Sequence, residues 1–446
     1  MSMSPLFPLP EPEASPARKA TQPEDARVVR PNRHQVRLEP KDLDSLLAAD
    51  HPARSIWELL ERLDLRGFYS SIQAVVDGPG RPTTDPQVLL GLWVLATVQG
   101  VGSARQLARL CEEHDAYRWL RGGVPINYHM LADFRTACEQ ELDEVLSQIV
   151  AALMAAGEVT LERVAQDGMR VRASAGAASY RRKDTLEACL TQARAQVERL
   201  AQERERPDPG VNKRRQRAQE RAARERVERV ELALGYLPQV QASKDLQRRK
   251  FTKAAAEKVT EARVSTTDPQ ARVMKMPDGG FRPAYNVQFA TDSRSGVIVG
   301  VAVTSAGTDA GQATPMVNQI ESRTGAKPAD YLVDGGYATR EDITTLAQKG
   351  VIPYAPVRLP RNQPESERYQ PRWGDSPEVA AWRQRMATEE AKAVYKQRGA
   401  LAEWTNAQTR QHGITQFNVR GIPKTTAVAL LVAITHNLLR WMSVST

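Results

Sequence analysis

The chain has 446 residues, enough for two or three domains, and it carries a formal net charge of +9 with a pI of about 9.5. This basic balance favours a polyanionic partner, most often nucleic acid, although a basic surface with no such role is the alternative. No apolar run approaches the roughly 18 residues that a membrane span requires. The nearest candidate, 427–442, is short and contains His436, Asn437 and Arg440, so we predict a buried helix and no membrane association.

The cysteines and the N-terminus indicate the compartment. Cys111, Cys138 and Cys189 are far apart and follow no pattern, which excludes a disulfide framework and a cysteine zinc site. The first residues lack the apolar core of a signal peptide. We therefore expect a protein of the reducing cytoplasm.

The N-terminal region divides into a tail and a helical module. Residues 1–40 are rich in Pro, Ser, Glu and Arg, which is typical of a disordered tail. From 41 to 157, apolar residues recur at spacings of three and four, which predicts short helices. Asp85 before Pro86 predicts one helix start, and Ser103 predicts another. Short helices joined by glycine turns fit a helix-turn-helix that docks in the major groove of DNA, and they equally fit a plain helical bundle.

The remainder, 158–446, predicts an α/β domain with a helical insertion. A short strand precedes Asp167, and residues 183 to about 262 then read as two long charged helices joined by the turn sequence "PDPG". Between Arg181 and Ala262 there are 21 Lys/Arg against 13 Asp/Glu, so this segment carries almost the whole net charge. Such a hairpin is usually a solvated surface, but it can also clamp a DNA backbone.

From residue 263 onwards, strand and helix patterns alternate. "AYNVQFATD" and "GVIVGVAVTS" predict two strands joined by a hairpin at "SRSG". A helix, a strand ending at "YLVD", a second helix and a further strand follow, and this order predicts a mixed sheet. After an irregular loop, we expect a helical region from Val379 to Thr409 that is interrupted at Gly399, and then the apolar C-terminal helix.

Three carboxylates have settings that suggest chemistry. Asp167 lies where the first strand meets "GMRV", Asp334 directly follows a buried strand, and Glu403 lies in a predicted helix. Because sites in open α/β sheets gather at the carboxyl ends of strands, the aspartates can meet there if their strands are neighbours. Clustered acids can hold two Mg²⁺ ions roughly 3.5–4 Å apart, which suits displacement at a phosphodiester. Each acid also has an ordinary explanation, since Asp before Gly is common in turns and a helical Glu usually faces solvent.

The order of several stretches resembles the DDE transposases of bacterial insertion sequences, in the branch with a helical N-terminal module ahead of an RNase-H-like core. The matching stretches extend from about 41 to 446 and include "DPQVLLGLWVLATVQGVGSARQLARL", "VAQDGMRVRASAG", "YLVDGGYATREDI" and "YKQRGALAEWTNAQTRQHG". By this resemblance Asp167, Asp334 and Glu403 are catalytic and ligate two Mg²⁺ ions, for which Mn²⁺ can substitute. The resemblance also implies double-stranded DNA partners, namely terminal inverted repeats and target DNA, and a homodimer on paired ends.

The glutamate region is similar to a Tyr-x2-Arg-x3-Glu-x6-Lys signature of related transposases, here at Tyr395, Arg398, Glu403 and Arg410. The interval from Arg to Glu is one residue longer here, and Arg replaces the final Lys. Arg410 follows Glu403 by seven residues, so it lies on nearly the same helix face and is expected to contact a DNA phosphate. Tyr395 and Arg398 are further candidate DNA-binding residues. Asp309 in "AGTDAGQ" also matches a family acid, with a helix cap as the alternative role.

The main hypothesis is thus a DNA transposase that cleaves its element's ends and joins them to target DNA. A metal-dependent nuclease without strand transfer would use the same acids. A DNA-binding regulator, or a domesticated remnant of a transposase, would need none of them for catalysis.

Overall fold

The fold is described from a computed structural model of the chain. The structure describes residues 34, 36, 40–70, 72–74, 82–205, 212–250, 261–359 and 363–444. The expected tail lies almost entirely outside these residues, and so does the "PDPG" turn. Residues Leu43–Thr446 form one compact unit. The boundary near residue 157 that the sequence suggested stays a prediction.

The N-terminal region is helical, as the apolar spacing predicted. The α-helices described there are α1 (Pro52–Glu61), α2 (Arg66–Ser70), α3 (Pro86–Val98), α4 (Ala104–Glu113), α5 (Asp115–Arg121), α6 (Tyr128–Ala137) and α7 (Glu139–Ala155). Both predicted helix starts are confirmed: Asp85 accepts a hydrogen bond from the Gln87 amide, and Ser103 accepts one from the Gln106 amide. Because α3 is buried on almost every side, it forms the centre of this bundle.

A mixed sheet forms the α/β region. Its strands in the described residues are β1 (Arg163–Arg172), β4 (Arg272–Lys275), β5 (Phe281–Asp292), β6 (Ile298–Thr304), β7 (Asp330–Leu332) and β8 (Ile352–Tyr354). The long strand β5 pairs antiparallel with β1 along one edge, and with β4 and then β6 along the other. Strands β1, β7 and β8 run parallel to one another. This arrangement confirms the predicted mixed sheet and the predicted β5–β6 hairpin.

The first strand is longer than its sequence suggested. Its register with β5 continues from the Val164–Asp292 pair to the Arg172–Ala284 pair without a break. Asp167 therefore lies in the middle of β1, and the expectation that the strand ends there was wrong. The chain stays extended beyond Gly168 because the twelve-residue strand β5 supplies hydrogen-bond partners along its length.

The insertion is the predicted pair of long helices, α8 (Lys183–Glu205) and α9 (Lys213–Lys250), which pack against each other. A short antiparallel pair, β2 (Tyr180–Arg181) and β3 (Val264–Ser265), closes its base. A small core of its own, which includes Leu186, Leu237 and Val264, fixes the hairpin at this end.

The α-helices described after β6 are α10 (Ala313–Thr324), α11 (Arg340–Gln348), α12 (Pro377–Met386), α13 (Glu389–Gln411) and α14 (Ile422–Val444). Helices α10 and α11 lie between the last strands, and the other three follow β8. The predicted interruption at Gly399 was wrong, because α13 passes through this residue. A glycine inside a helix costs only about 0.5–1 kcal/mol, which packing can offset. The break falls instead before Thr388, whose side chain accepts a hydrogen bond from the Ala391 amide and caps α13.

The C-terminal helix joins the bundle to the sheet. Within the described residues, α14 is the helix whose length and apolarity would allow it to cross a membrane, but two thirds of that segment is buried in the fold. It packs against α3, α6, α7 and β6. The amide of Asn437 bonds to both the N–H and the carbonyl of Ile298, at 2.9 and 2.8 Å. The prediction of a buried helix is confirmed, and bundle and sheet share one core around it.

Candidate active site

Asp167 and Asp334 lie side by side where β1 and β7 are neighbours. The two strands pair in parallel with Ala165 opposite Leu332, and each acid comes two residues after its member of that pair. Burial raises the pKa of the Asp167 carboxyl, and the negative charge of Asp334 adds to that rise. The structure therefore brings these two predicted site residues together.

A tight turn after β7 holds Asp334. Its Oδ1 atom accepts a hydrogen bond of 2.6 Å from the amide of Gly336, and its carbonyl accepts one from the amide of Tyr337. A Cβ atom at position 336 would lie 2.7 Å from the same carboxylate oxygen. Glycine at position 336 therefore leaves room for the Asp334 carboxylate to approach the Gly336 amide.

Helix α13 occupies both oxygens of Asp167. Arg398 donates from Nη2 to Oδ1 at 2.8 Å, and Asn406 donates from Nδ2 to Oδ2 at 2.7 Å. Burial is the main cause that raises the pKa of Asp167, while the Arg398 charge and the Asn406 hydrogen bond oppose the rise. In this arrangement the first predicted ligand, Asp167, is a partly buried carboxylate that is ion-paired with Arg398.

The predicted glutamate is not brought to the aspartates. Successive helical residues are about 100° apart, so Arg398 and Asn406 lie about 80° apart around α13, with Ala402 midway between them. Ala402 is buried in this position, whereas Glu403 lies a further 100° or so around the helix and is exposed. The additional residue between Arg398 and Glu403 thus places an alanine, and not the glutamate, on the arc that faces Asp167.

Of the other two residues of the signature, one lies near the aspartates and one is exposed. Tyr395 is half-buried, and the charges of Arg398, Asp334 and Asp167 all act on it, with burial as the main cause of its raised pKa. It therefore lies beside the aspartates. Arg410 is exposed in the last turn of α13.

Asp309 has a role that the sequence did not predict. It forms an ion pair with Arg170 at 3.1 Å and accepts hydrogen bonds from the side chains of Asn286 at 2.7 Å and Gln288 at 2.8 Å. Because side chains alternate along a strand, Arg170 projects from the face of β1 opposite to Asp167. The helix-cap alternative was wrong, since α10 has no side-chain cap from Asp309, and it is the Asp342 carboxylate that accepts hydrogen bonds from the amides of Gly311 and Thr314.

A buried polar network links β1 and β5 to Tyr331 and Tyr337, and sequence reasoning missed it. Gln166 donates to Gln288 at 2.9 Å and accepts from the Tyr331 hydroxyl at 2.7 Å, while the Tyr337 hydroxyl also donates to Gln288. All four side chains are essentially inaccessible. The available signal was two glutamines within otherwise apolar strands, because buried amides need internal partners.

The acids supply suitable oxygen atoms for a divalent metal ion, but their arrangement does not fit one. Within the described residues there is no group of three or more His, Cys, Asp or Glu side chains that could hold a metal ion. Asp167 is occupied by Arg398 and Asn406, and Glu403 faces away. The observed arrangement is therefore a closed site.

Comparison with known families gives the class of protein. A family model described as "Transposase domain (DUF772)" matches residues 41–137, and one described as "Transposase DDE domain" matches residues 258–438. Neither a curated protein nor a solved structure matches the chain. The two matched regions together define a transposase.

More particularly, the chain belongs to the insertion-sequence DDE transposases, with an N-terminal transposase module and an RNase-H-like core. This family acts on DNA and generally uses divalent metal ions. The matched DDE region contains Asp334 and Glu403 but begins after Asp167.

Proposed function

We propose that the protein binds the terminal inverted repeats of an insertion sequence, hydrolyses the DNA ends to free 3′-hydroxyl groups, and joins these to target DNA. Asp167, Asp334 and Glu403 are the proposed catalytic acids, with Mg²⁺ as the metal. The observation that carries the proposal is the position of two aspartates at matching levels of adjacent parallel strands, in a chain of the DDE family. Brought together, the three acids would hold the Mg²⁺, which would supply activation of the attacking hydroxyl and charge stabilisation at the leaving oxygen.

Two local changes would open the site. Arg398 and Asn406 must release Asp167, and Glu403 must turn by about 100° around the axis of α13. Arg398 would then have its charge free beside the acids, where a DNA phosphate would take the place of the carboxylate. Tyr395 and Arg410 are the other proposed DNA contacts on this helix.

The proposed working form is a homodimer on paired DNA ends, associated with the nucleoid in the cytoplasm. Inverted repeats present two equivalent sites, and a symmetric dimer is the simplest protein assembly that matches them.

The test of this function uses Asp334→Asn. Asparagine keeps an oxygen that can accept the Gly336 hydrogen bond, so the variant should fold and bind inverted-repeat DNA with unchanged affinity. It should fail to nick that DNA in the presence of Mg²⁺. Asp330→Asn is the matched control, because Asp330 lies on the same strand but pairs with Arg163, and it should keep nicking activity. Normal cleavage by Asp334→Asn would refute the assignment.

The closed site favours a second candidate, a DNA-binding protein that does not catalyse. Asp167 is paired with Arg398, and Glu403 faces away from the aspartates, as expected if the acids had no catalytic role. Mg²⁺-dependent nicking by the unmodified protein would exclude this candidate. A nuclease without strand transfer would nick in this assay but would fail to join pre-cut ends to a second duplex.

A further inference from the structure

The arginines of the helical hairpin fall into two groups. Most of those on α8 and the middle of α9 are paired with acids, for example Arg194 with Glu231 at 2.7 Å and Arg229 with Glu225 at 3.6 Å. The first turns of α9 differ, because they carry a set of exposed cations for which the described residues provide no ion pair. Five of these cations line one surface groove, namely Lys213, Arg214, Arg217, Arg221 and Arg224, and we call these five the arginine face.

The arginine face is a continuous strip on one side of the helix. At about 100° per residue, its five members fall within an arc of about 100°, and from Lys213 to Arg224 they extend over about 16 Å. They line one open surface groove together with Glu220. A strip of this length is comparable to about five base pairs of duplex DNA, which carries one negative charge per roughly 1.7 Å.

The acids near the arginine face do not neutralise it. Glu220 pairs with Arg204 of α8, and Glu225 pairs with Arg229, and neither arginine belongs to the face. The positive charge of the strip is therefore directed to solvent. Holding several like charges together is unfavourable, and a polyanion relieves that repulsion.

The strip also lies at the free end of the hairpin. The hydrophobic contacts with β3 involve Leu186 near the start of α8 and Leu237 well along α9. The 23 residues of α8 extend about 34 Å, and the Arg204–Glu220 pair places the start of α9 beside the end of α8. The face is consequently about 30 Å from the base of the hairpin.

We propose that the arginine face binds the phosphates of duplex DNA beyond the cleaved end and supplies affinity that does not depend on base sequence. The proposal rests on DNA as the substrate of the proposed function, but it does not depend on catalysis.

The test compares two fourfold variants that lose the same charge. One replaces Arg214, Arg217, Arg221 and Arg224 with Gln, and the matched control replaces four paired arginines, Arg194, Arg199, Arg204 and Arg229, with Gln. Binding of a random-sequence 40-base-pair duplex is measured between about 50 and 300 mM NaCl. Each phosphate contact contributes about 0.9 to the magnitude of the negative slope of log K against log salt. The magnitude of the slope should therefore fall by about 3–4 in the face variant and by less than about 1 in the control.

A third variant separates charge from fold. The same four positions changed to Lys should keep the wild-type slope, because lysine binds phosphate as a point charge. Equal losses in the face variant and the control would overturn the proposal, and so would an unchanged slope in the face variant. A further outcome is a fall in the slope of the face variant although the unmodified protein does not nick inverted-repeat DNA. That result would support DNA binding by the arginine face and would refute the catalytic proposal.

Discussion

Buried His436 of α14 makes the stability of the fold depend on pH. Its ring is 2% exposed, its Nε2 atom donates to the carbonyl of Gly296 at 2.8 Å, and it packs edge-on against Trp404, the neighbour of Glu403. Burial lowers the pKa of His436 to about 4, and the nearby charges of His412 and Arg440 act in the same direction. The imidazole is therefore neutral throughout the physiological range.

The sign of the effect follows from proton binding. As pH falls below 6.5, His436 of the unfolded chain takes up a proton, whereas the folded protein does not until about pH 4. Stability is therefore fully present above pH 6.5 and is lost as pH falls towards 4. At 1.36 kcal/mol for each pH unit, the difference corresponds to about 3 kcal/mol at pH 4.

Urea unfolding of the wild type and His436→Gln between pH 7.5 and pH 4.5 measures this contribution. Glutamine can still donate to Gly296 but does not titrate, so its loss of packing against Trp404 should be the same at every pH. The fall in unfolding free energy between the two pH values should be smaller in the variant by roughly 2–3 kcal/mol. Identical pH dependence in the two proteins would show that His436 is not held neutral, and the reasoning from burial would fail.

Two further predictions concern the candidate site. Gly168→Ala would place a Cβ atom 2.4 Å from Nε2 of Gln288, so it should lower the unfolding free energy measured in urea by about 2–3 kcal/mol. The control Gly176→Ala, whose Cβ would have no atom within 4 Å, should change that free energy by less than about 0.5 kcal/mol. Equal effects of the two substitutions would contradict the close packing around Gly168. Arg398→Gln should destabilise the protein by about 1–3 kcal/mol at pH 7, because it leaves the partly buried carboxylate of Asp167 without its ion pair. Adding Asp167→Asn to this variant should recover part of the lost unfolding free energy. If the effects of the two substitutions on that free energy simply add, the ion pair is ruled out.

Local sequence patterns were enough to predict most elements of this protein. The caps at Asp85 and Ser103, the hairpin insertion between β2 and β3, and the β5–β6 hairpin all depend on residues within a few positions of one another. The burial of α14 also followed from composition. Spacing of apolar residues and turn chemistry act over short distances, so a single sequence carries them directly.

The geometry of the candidate site was decided by tertiary contacts. The sequence singled out Asp167, Asp334 and Glu403, but it could not show that β1 and β7 align the two aspartates or that β5 keeps β1 extended past Gly168. It also could not reveal that Asp309 pairs with an arginine on the far face of the sheet.

The orientation of α13 about its own axis shows most directly why the sequence alone could not predict the geometry of the site. A helical pattern determines that Arg398, Ala402 and Asn406 share an arc, but not which arc of the helix faces the sheet. That choice is made by packing, and here it joins Asp167 to a residue 231 positions away in the chain. The sequence alone therefore determined the fold class, the helices and strands and the candidate acids. Strand register and helix rotation, which depend on contacts between distant segments, decided that Arg398 and not Glu403 meets Asp167.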